Sequence, residues 1–221
     1  MPRQLTVSGV SNNFGVMTNP YIEQLIRAAT IFYRNGWMAG TSGNVSARQD
    51  DDSFWIAAAG SSKGTLTPAD FIRMSLSGEI LESTDGARPS AETSIHQVIY
   101  TRFPLARAIY HVHSVEGNLV SSFNDADEIE LPPLEMLKGF HVMEDQPKVS
   151  IPVFKNHSDV ARIAREIHTR FQAEQFRLPA LLIRRHGVTV WSETQEDTLN
   201  RVELMEFLFK YMVLARQMKL S

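Results

Sequence analysis

The chain has no cysteine, so disulfides and thiolate metal ligands are both excluded, and any metal must be held by histidine and carboxylate. It also has no apolar run approaching the roughly 20 residues needed to cross a bilayer as a helix. A basic block is missing as well: 22 Lys and Arg are spread along the chain against 25 Asp and Glu, for a formal net charge of -3. That pattern excludes the electrostatic footprint of a nucleic-acid binder. Internal repeats, low-complexity tracts and Pro/Gly linkers are absent. Met1 to Thr6 shows no charged stretch followed by an apolar one, so no secretory leader is expected and the cytoplasm is the expected location. Asn44-Val45-Ser46 is then an idle match to a glycosylation acceptor. With 221 residues and 43% hydrophobic content, one catalytic domain spanning 1–221 around one core is expected.

What is present is an unusual placement of histidine. His111 and His113 sit one residue apart in Ile109-Tyr110-His111-Val112-His113-Ser114, an apolar run that reads as the end of a strand. The strand period of two points both imidazoles to one face, where they can share an ion. His186 follows a second apolar run, Leu181-Leu182-Ile183, and precedes Gly187, as a residue at a strand end or tight turn does. Three nitrogen ligands with an open fourth position describe a catalytic zinc rather than a closed structural one. The other four histidines, His96, His141, His157 and His168, read as exposed or capping side chains.

Hydrophobic periodicity and end signals set out the elements. Asn19-Pro20 opens a helix whose apolar stripe runs from Leu25 through Tyr33 and ends near Gly36. Strands follow around Asn44–Ser46 and Ser53–Ala59, with a short capped helix at Thr67–Asp70 and a turn at Ser77-Gly78 into Glu79–Glu82. Ser90 is expected to cap a helix reaching Arg102. Short helices are expected at 115–123 and 133–139, a longer one at 158–175, a strand pair over 179–191, and a final helix from Glu193 to about Lys219. Helices mixed with hairpin-like strands imply helices layered on a mainly antiparallel sheet.

Four motifs in order, Gly43-Asn44-Val45-Ser46, Pro89-Ser90-Ala91-Glu92, His111-Val112-His113-Ser114 and Arg185-His186-Gly187, resemble those of the class II aldolase family from about residue 20 to 215. The resemblance implies a three-layer α/β/α sandwich with one zinc per subunit on His111, His113 and His186. Gly60-Ser61-Ser62-Lys63-Gly64, Leu134-Glu135-Met136-Leu137-Lys138-Gly139 and the run Arg184 to Trp191 are most similar to the branch that dehydrates a ketose 1-phosphate. That branch implies Glu135 as catalytic acid/base, with Glu92 matching a glutamate that touches the metal or the reacting carbons. The substrate phosphate is expected on Ser42, Gly43, Asn44, Gly60, Ser61 and Ser90, while Ala59 and Ala91 stand where relatives often carry hydroxyls. The family also implies a homotetramer with a small-molecule sugar phosphate as substrate and neither nucleic acid nor membrane as partner.

The loops make physical sense without the family. Glycine lets backbone amides approach an anion, Ser90 at a helix start adds free amides, and Lys63 adds charge. Each loop alone reads equally as an ordinary turn, and Glu92 alone as a first-turn carboxylate. Two further functions share the pattern. A sugar-phosphate aldolase or epimerase uses the same zinc chemistry but acts on the C3–C4 bond or on configuration. An adducin-like interaction module keeps the fold without needing the metal ligands.

Overall fold

A computed structural model describes residues 19–219; Met1 to Thr6, read above for a leader, lie outside the described residues. Asn19 caps the first helix by accepting from the Tyr21 amide at 3.0 Å, with Pro20 at the first helical position. This helix, α1 (Pro20–Arg34), buries Ile22, Leu25, Ala28, Ala29 and Phe32. Tyr33, expected in the stripe, instead points outward over Gly64, where any Cβ would press on its ring. The chain then forms a meander of β1 (Asn44–Arg48), β2 (Ser53–Ala57), β3 (Phe71–Ser75) and β4 (Ile80–Glu82), every pairing antiparallel.

After α2 (Thr93–Arg102) comes β5 (Ala108–Val112), which returns to pair with β1. The remaining elements are α3 (Val115–Val120), β6 (Glu128–Glu130), a 3-10 turn at Glu135–Phe140, β7 (Ser150–Phe154), α4 (Val160–Ala173), β8 (Ala180–Ile183), β9 (Gly187–Ser192) and α5 (Gln195–Gln217). The strands form one sheet in the order β4-β3-β2-β1-β5-β9-β8-β7-β6. Only β7 and β8 run parallel, so the sheet is mainly antiparallel as expected. Strands β6 and β7 have no clear signal in the sequence. Pro152 sits inside β7, where it removes a ladder donor, and Glu128 and Glu130 break any apolar alternation in β6; such residues are tolerated only toward a sheet edge.

The sheet separates two apolar layers. On one face, Val45, Ala47, Tyr110, Val112, Leu182 and Val190 pack against α1, α3 and α5. On the other, Phe54, Ile56, Ile109, Leu181, Ile183 and Trp191 pack against α2 and α4. Alternation along each strand assigns side chains to the two layers. Residues Asn44, Ser46 and His111 therefore face the α2 side, a fact on which the site depends. No helix among the described residues is long and apolar enough to cross a membrane.

One buried group in this packing has a testable consequence. Glu206 on α5 is almost wholly buried, and neither carboxylate oxygen has a hydrogen bond. Burial pushes its pKa up to about 8, opposed by the nearby Ser114 hydroxyl and reinforced by Glu116. Folded Glu206 keeps its proton up to about pH 8, whereas the unfolded group ionises near 4.5. Its contribution to stability is complete below pH 4.5 and is lost as pH rises towards 8. Glu206→Gln is accordingly expected to raise the melting temperature at pH 8 by roughly 4 to 8 °C, from about 2 kcal/mol. The gain should shrink to nothing as pH falls; a pH-independent difference would remove the protonated carboxyl from the account.

Candidate metal centre and active site

The site lies where β5 ends. His111 is the next-to-last residue of β5, paired with Asn44 of β1 on one side and Thr189 of β9 on the other. His113 lies just past the strand and is held by its own backbone, whose amide donates to the Trp37 carbonyl at 2.7 Å. Ser114 then caps α3 by accepting from the Gly117 amide, so the chain turns from strand to helix immediately after the second histidine. His186 comes from the β8–β9 turn. Gly187 is required there, because a Cβ would overlap the Val112 carbonyl and the His113 ring.

These placements bring three imidazole rings edge to face, with centroids 4.7, 5.0 and 4.5 Å apart. Glu92, the residue preceding α2, projects into the same spot. Its Oε1 lies 3.0 Å from His186 Nε2, 3.4 Å from His113 Nε2 and 3.5 Å from His111 Nε2. One ligand atom from each of these four residues falls within 4.8 Å of all the others. The predicted metal histidines are thus brought together, with Glu92 beside them.

The hydrogen bonds behind the rings fit a cation. His111 Nδ1 meets the Val188 carbonyl at 3.1 Å and Thr189 Oγ1 at 2.9 Å. A carbonyl only accepts, so Nδ1 carries the proton and Nε2 presents a bare lone pair. His186 follows the same logic through Asn156 Oδ1 at 3.3 Å. Its bare Nε2 then faces the Glu92 carboxylate, and His113 Nε2 faces His111 Nε2 at 2.8 Å. Lone pairs converging on each other and on a carboxylate form a donor set that a divalent cation fits. Burial raises the Glu92 carboxyl, yet its interactions with His111, His113 and His186 outweigh it and hold it far below the usual carboxylate range. Burial lowers His113 to about 4, keeping it neutral and able to ligate.

The family described as Class II Aldolase and Adducin N-terminal domain matches residues 23–213. The chain belongs to the class II aldolase family. It is 54% identical over 204 residues to a methylthioribulose-1-phosphate dehydratase of Microcystis aeruginosa, covering 92% of this chain and 99% of that one. A protein of the same name from Leptospira biflexa is 37% identical over 86% of this chain and 95% of its own. Among solved structures, L-fuculose-1-phosphate aldolase from Thermus thermophilus superposes with a TM-score of 0.67 at 24% identity, over 90% of this chain and 95% of that one. That likeness shows the fold.

The loops that carry the remaining class II aldolase motifs are drawn together by Lys63. It is buried, and its Nζ donates to the carbonyls of Thr41 and Ser61, each at 3.0 Å. The small-residue loops 41–43 and 60–63 are therefore clamped to one another beside Glu92, whose charge offsets part of the burial that lowers the Lys63 pKa. Gly43 has φ +76, and a Cβ there would meet the His111 carbonyl oxygen at 2.7 Å, so the loop lies directly on the metal strand. Gly60, φ +83, turns the second loop. Ser42 Oγ and Asn44 Oδ1 are buried without a hydrogen-bond partner. Ser61 Oγ is committed to Asp70 Oδ1 at 2.7 Å, leaving the loop's backbone as its free donor.

Three placements differ from expectation. The helix after Ser90 starts only at Thr93, because Ser90 to Thr93 first makes a separate turn, and Ser90 Oγ accepts from the Glu92 amide at 3.3 Å. Glu92 occupies the capping position without capping, since its carboxylate is drawn into the histidines. His96, read as exposed or capping, is fully buried on α2. Glu135 is not brought to the cluster within the single chain: it is largely exposed on its 3-10 turn and paired with Lys138 at 2.8 Å. The sequence reading missed Thr189 and Asn156, which orient two of the histidines; neither belongs to a residue type or spacing that singles it out. Asn156 also opens onto a cleft of about 740 Å³ lined by Lys155, Arg184 and Arg185 among others.

Proposed function

We propose that the chain is a zinc-dependent methylthioribulose-1-phosphate dehydratase, removing water from 5-methylthioribulose 1-phosphate to give 2,3-diketo-5-methylthiopentyl 1-phosphate in methionine salvage. The observation that carries this is 54% identity to a protein of that name across 99% of its length. The converged His111, His113 and His186 support it from the chemistry. Nitrogen donors with no cysteine in the chain suit zinc. When bound, the divalent cation supplies a Lewis acid beside the C2 carbonyl and acidifies the C3 hydrogen.

The chain's own residues supply the rest. The backbone amides of Gly43, Gly60 and Ser61, the side chains of Ser42, Asn44 and Ser90, and the Lys63 charge behind them form the phosphate-binding wall. Glu135 moves the proton, taking it from C3 or giving it to the departing C4 hydroxyl. Its support is its place in the motif Leu134 to Gly139. Glu92 has the support of contact, lying among the metal-binding nitrogens where it orients the reacting carbons. The whole chain acts as one catalytic domain in the cytoplasm and assembles as a homotetramer. An exposed apolar row on α5 and its C-cap, Phe207, Tyr211, Leu214 and Met218, with Val115 and Leu119 on α3, supports the assembly.

The purified metal-loaded protein, given 5-methylthioribulose 1-phosphate, is expected to yield the diketone with no aldehyde. Release of an aldehyde and a three-carbon phosphate would instead make it an aldolase.

A further inference from the structure

Behind Glu92 the structure holds a buried polar network that the reaction as described does not use. Ser46, on β1, meets His96 Nδ1 at 2.7 Å and the Tyr100 hydroxyl at 2.9 Å; all three side chains are buried. The Ser46 hydroxyl has one proton. If it went to the Ile109 carbonyl the bond would be 3.5 Å long, whereas the His96 contact is short enough for an O–H···N bond. The arrangement that satisfies every member has Tyr100 donating to Ser46 and Ser46 donating to His96 Nδ1. This fixes the His96 tautomer with its proton on Nε2.

That Nε2 is buried and has no hydrogen-bond partner, as are Asn44 Oδ1 and Thr93 Oγ1. The three orphans belong to two facing elements, β1 and the start of α2. Asn44 and Ser46 are two apart on β1 and face α2 together. Glu92, just before α2, contacts His111, the cross-strand partner of Asn44, and His96 lies in the first turn of α2, bonded to Ser46. Thr93 is three residues before His96 on that face. A donor, an acceptor and a hydroxyl that can be either are thus buried on the facing sides of β1 and α2, where leaving each unpaired is costly. One buried water with three protein partners resolves all of them.

We propose that His96 is a positioning residue: through one buried water shared with Thr93, its Nε2–H holds the Asn44 carbonyl oxygen inward and so turns the Asn44 amide nitrogen outward as a donor to the substrate. The direction of the Asn44 amide, and with it the complementarity of the phosphate wall to an anion, is then set from the helix layer. Burial, aided by the neighbouring His111, lowers His96 to about 3, so the relay stays neutral across the working range. The inference rests on the assignment of Asn44 to the substrate side.

The test combines a crystal structure of the full-length protein at about 1.2 Å with kinetics. The structure is expected to show one water within hydrogen-bond distance of His96 Nε2, Thr93 Oγ1 and Asn44 Oδ1; density without that water, or a direct His96–Asn44 bond, overturns the proposal. His96→Gln keeps a donor, whereas Thr93→Val removes a hydroxyl at nearly constant shape. Thr93→Val and His96→Phe are expected to raise KM about tenfold with kcat changed less than threefold and metal content intact, and His96→Gln to recover most of the loss. Loss of metal, or an unchanged KM in Thr93→Val, overturns it, and Thr93→Val decides the matter if His96→Phe does not fold. Should the wild-type enzyme fail to turn over 5-methylthioribulose 1-phosphate, the functional assignment falls, while the water and the amide direction are still decided by the crystal structure.

Discussion

His186→Ala is expected to cut metal content to below a tenth of the wild-type level and to lower turnover by at least about three orders of magnitude, the two falling together. His111→Ala and His113→Ala should do the same, because the remaining nitrogens then form a two-ligand site. The residues behind the rings make the result specific. Asn156→Ala and Thr189→Val leave all three imidazoles in place but remove the acceptors that orient His186 and His111. They are expected to weaken metal binding by roughly 10- to 100-fold, and excess metal should restore their activity. Metal analysis of the dialysed proteins, beside thermal melts to confirm folding, reads all five variants. Full metal occupancy in the triple histidine variant would sink the assignment.

The second large effect separates the two carboxylates. Glu135→Gln is expected to leave metal content and melting temperature unchanged while turnover drops by roughly two to four orders of magnitude, the range for a lost general acid/base. Glu92→Gln should differ. Its carboxylate is surrounded by three imidazoles, so the neutral amide should weaken the metal as well as turnover. Exchange of the C3 hydrogen in deuterated water divides the roles further: if exchange persists in Glu135→Gln while water loss stops, Glu135 is the acid, and if both stop it is the base. Near-normal turnover in Glu135→Gln would remove that residue from the mechanism.

The legibility of this site in the sequence depended on how local each signal was. His111 and His113 were readable because strand alternation is a local rule, and the structure keeps both rings on one side although β5 ends between them. His186 was readable from its strand-turn context. Glu92 came from motif likeness, and its role in the cluster is a product of tertiary geometry, as the helix it should cap begins without its help. His96 was misjudged because a histidine on a helix of low amphipathic contrast looks solvated, and nothing local reveals that β1 places Ser46 beneath it. The same limit hid β6 and β7, whose pairing is enforced by neighbours and not by their own composition. On α5 the closely spaced Phe207, Phe209 and Tyr211 divide between two faces: Phe209 is in the core while Phe207 and Tyr211 are exposed.

The spread of the ligands along the chain also bears on biosynthesis. Glu92 and His186 are separated by 94 positions, and the intervening chain supplies the two other histidines and four strands of the sheet. A nascent polypeptide therefore owns only an incomplete ligand set until His186 has been synthesised, and β9 must zip onto β5 before the third imidazole arrives. On the proposed site, capture of the cation would follow the pairing of β9 with β5, and chains that stop short of that pairing would have little means of sequestering metal from the cell.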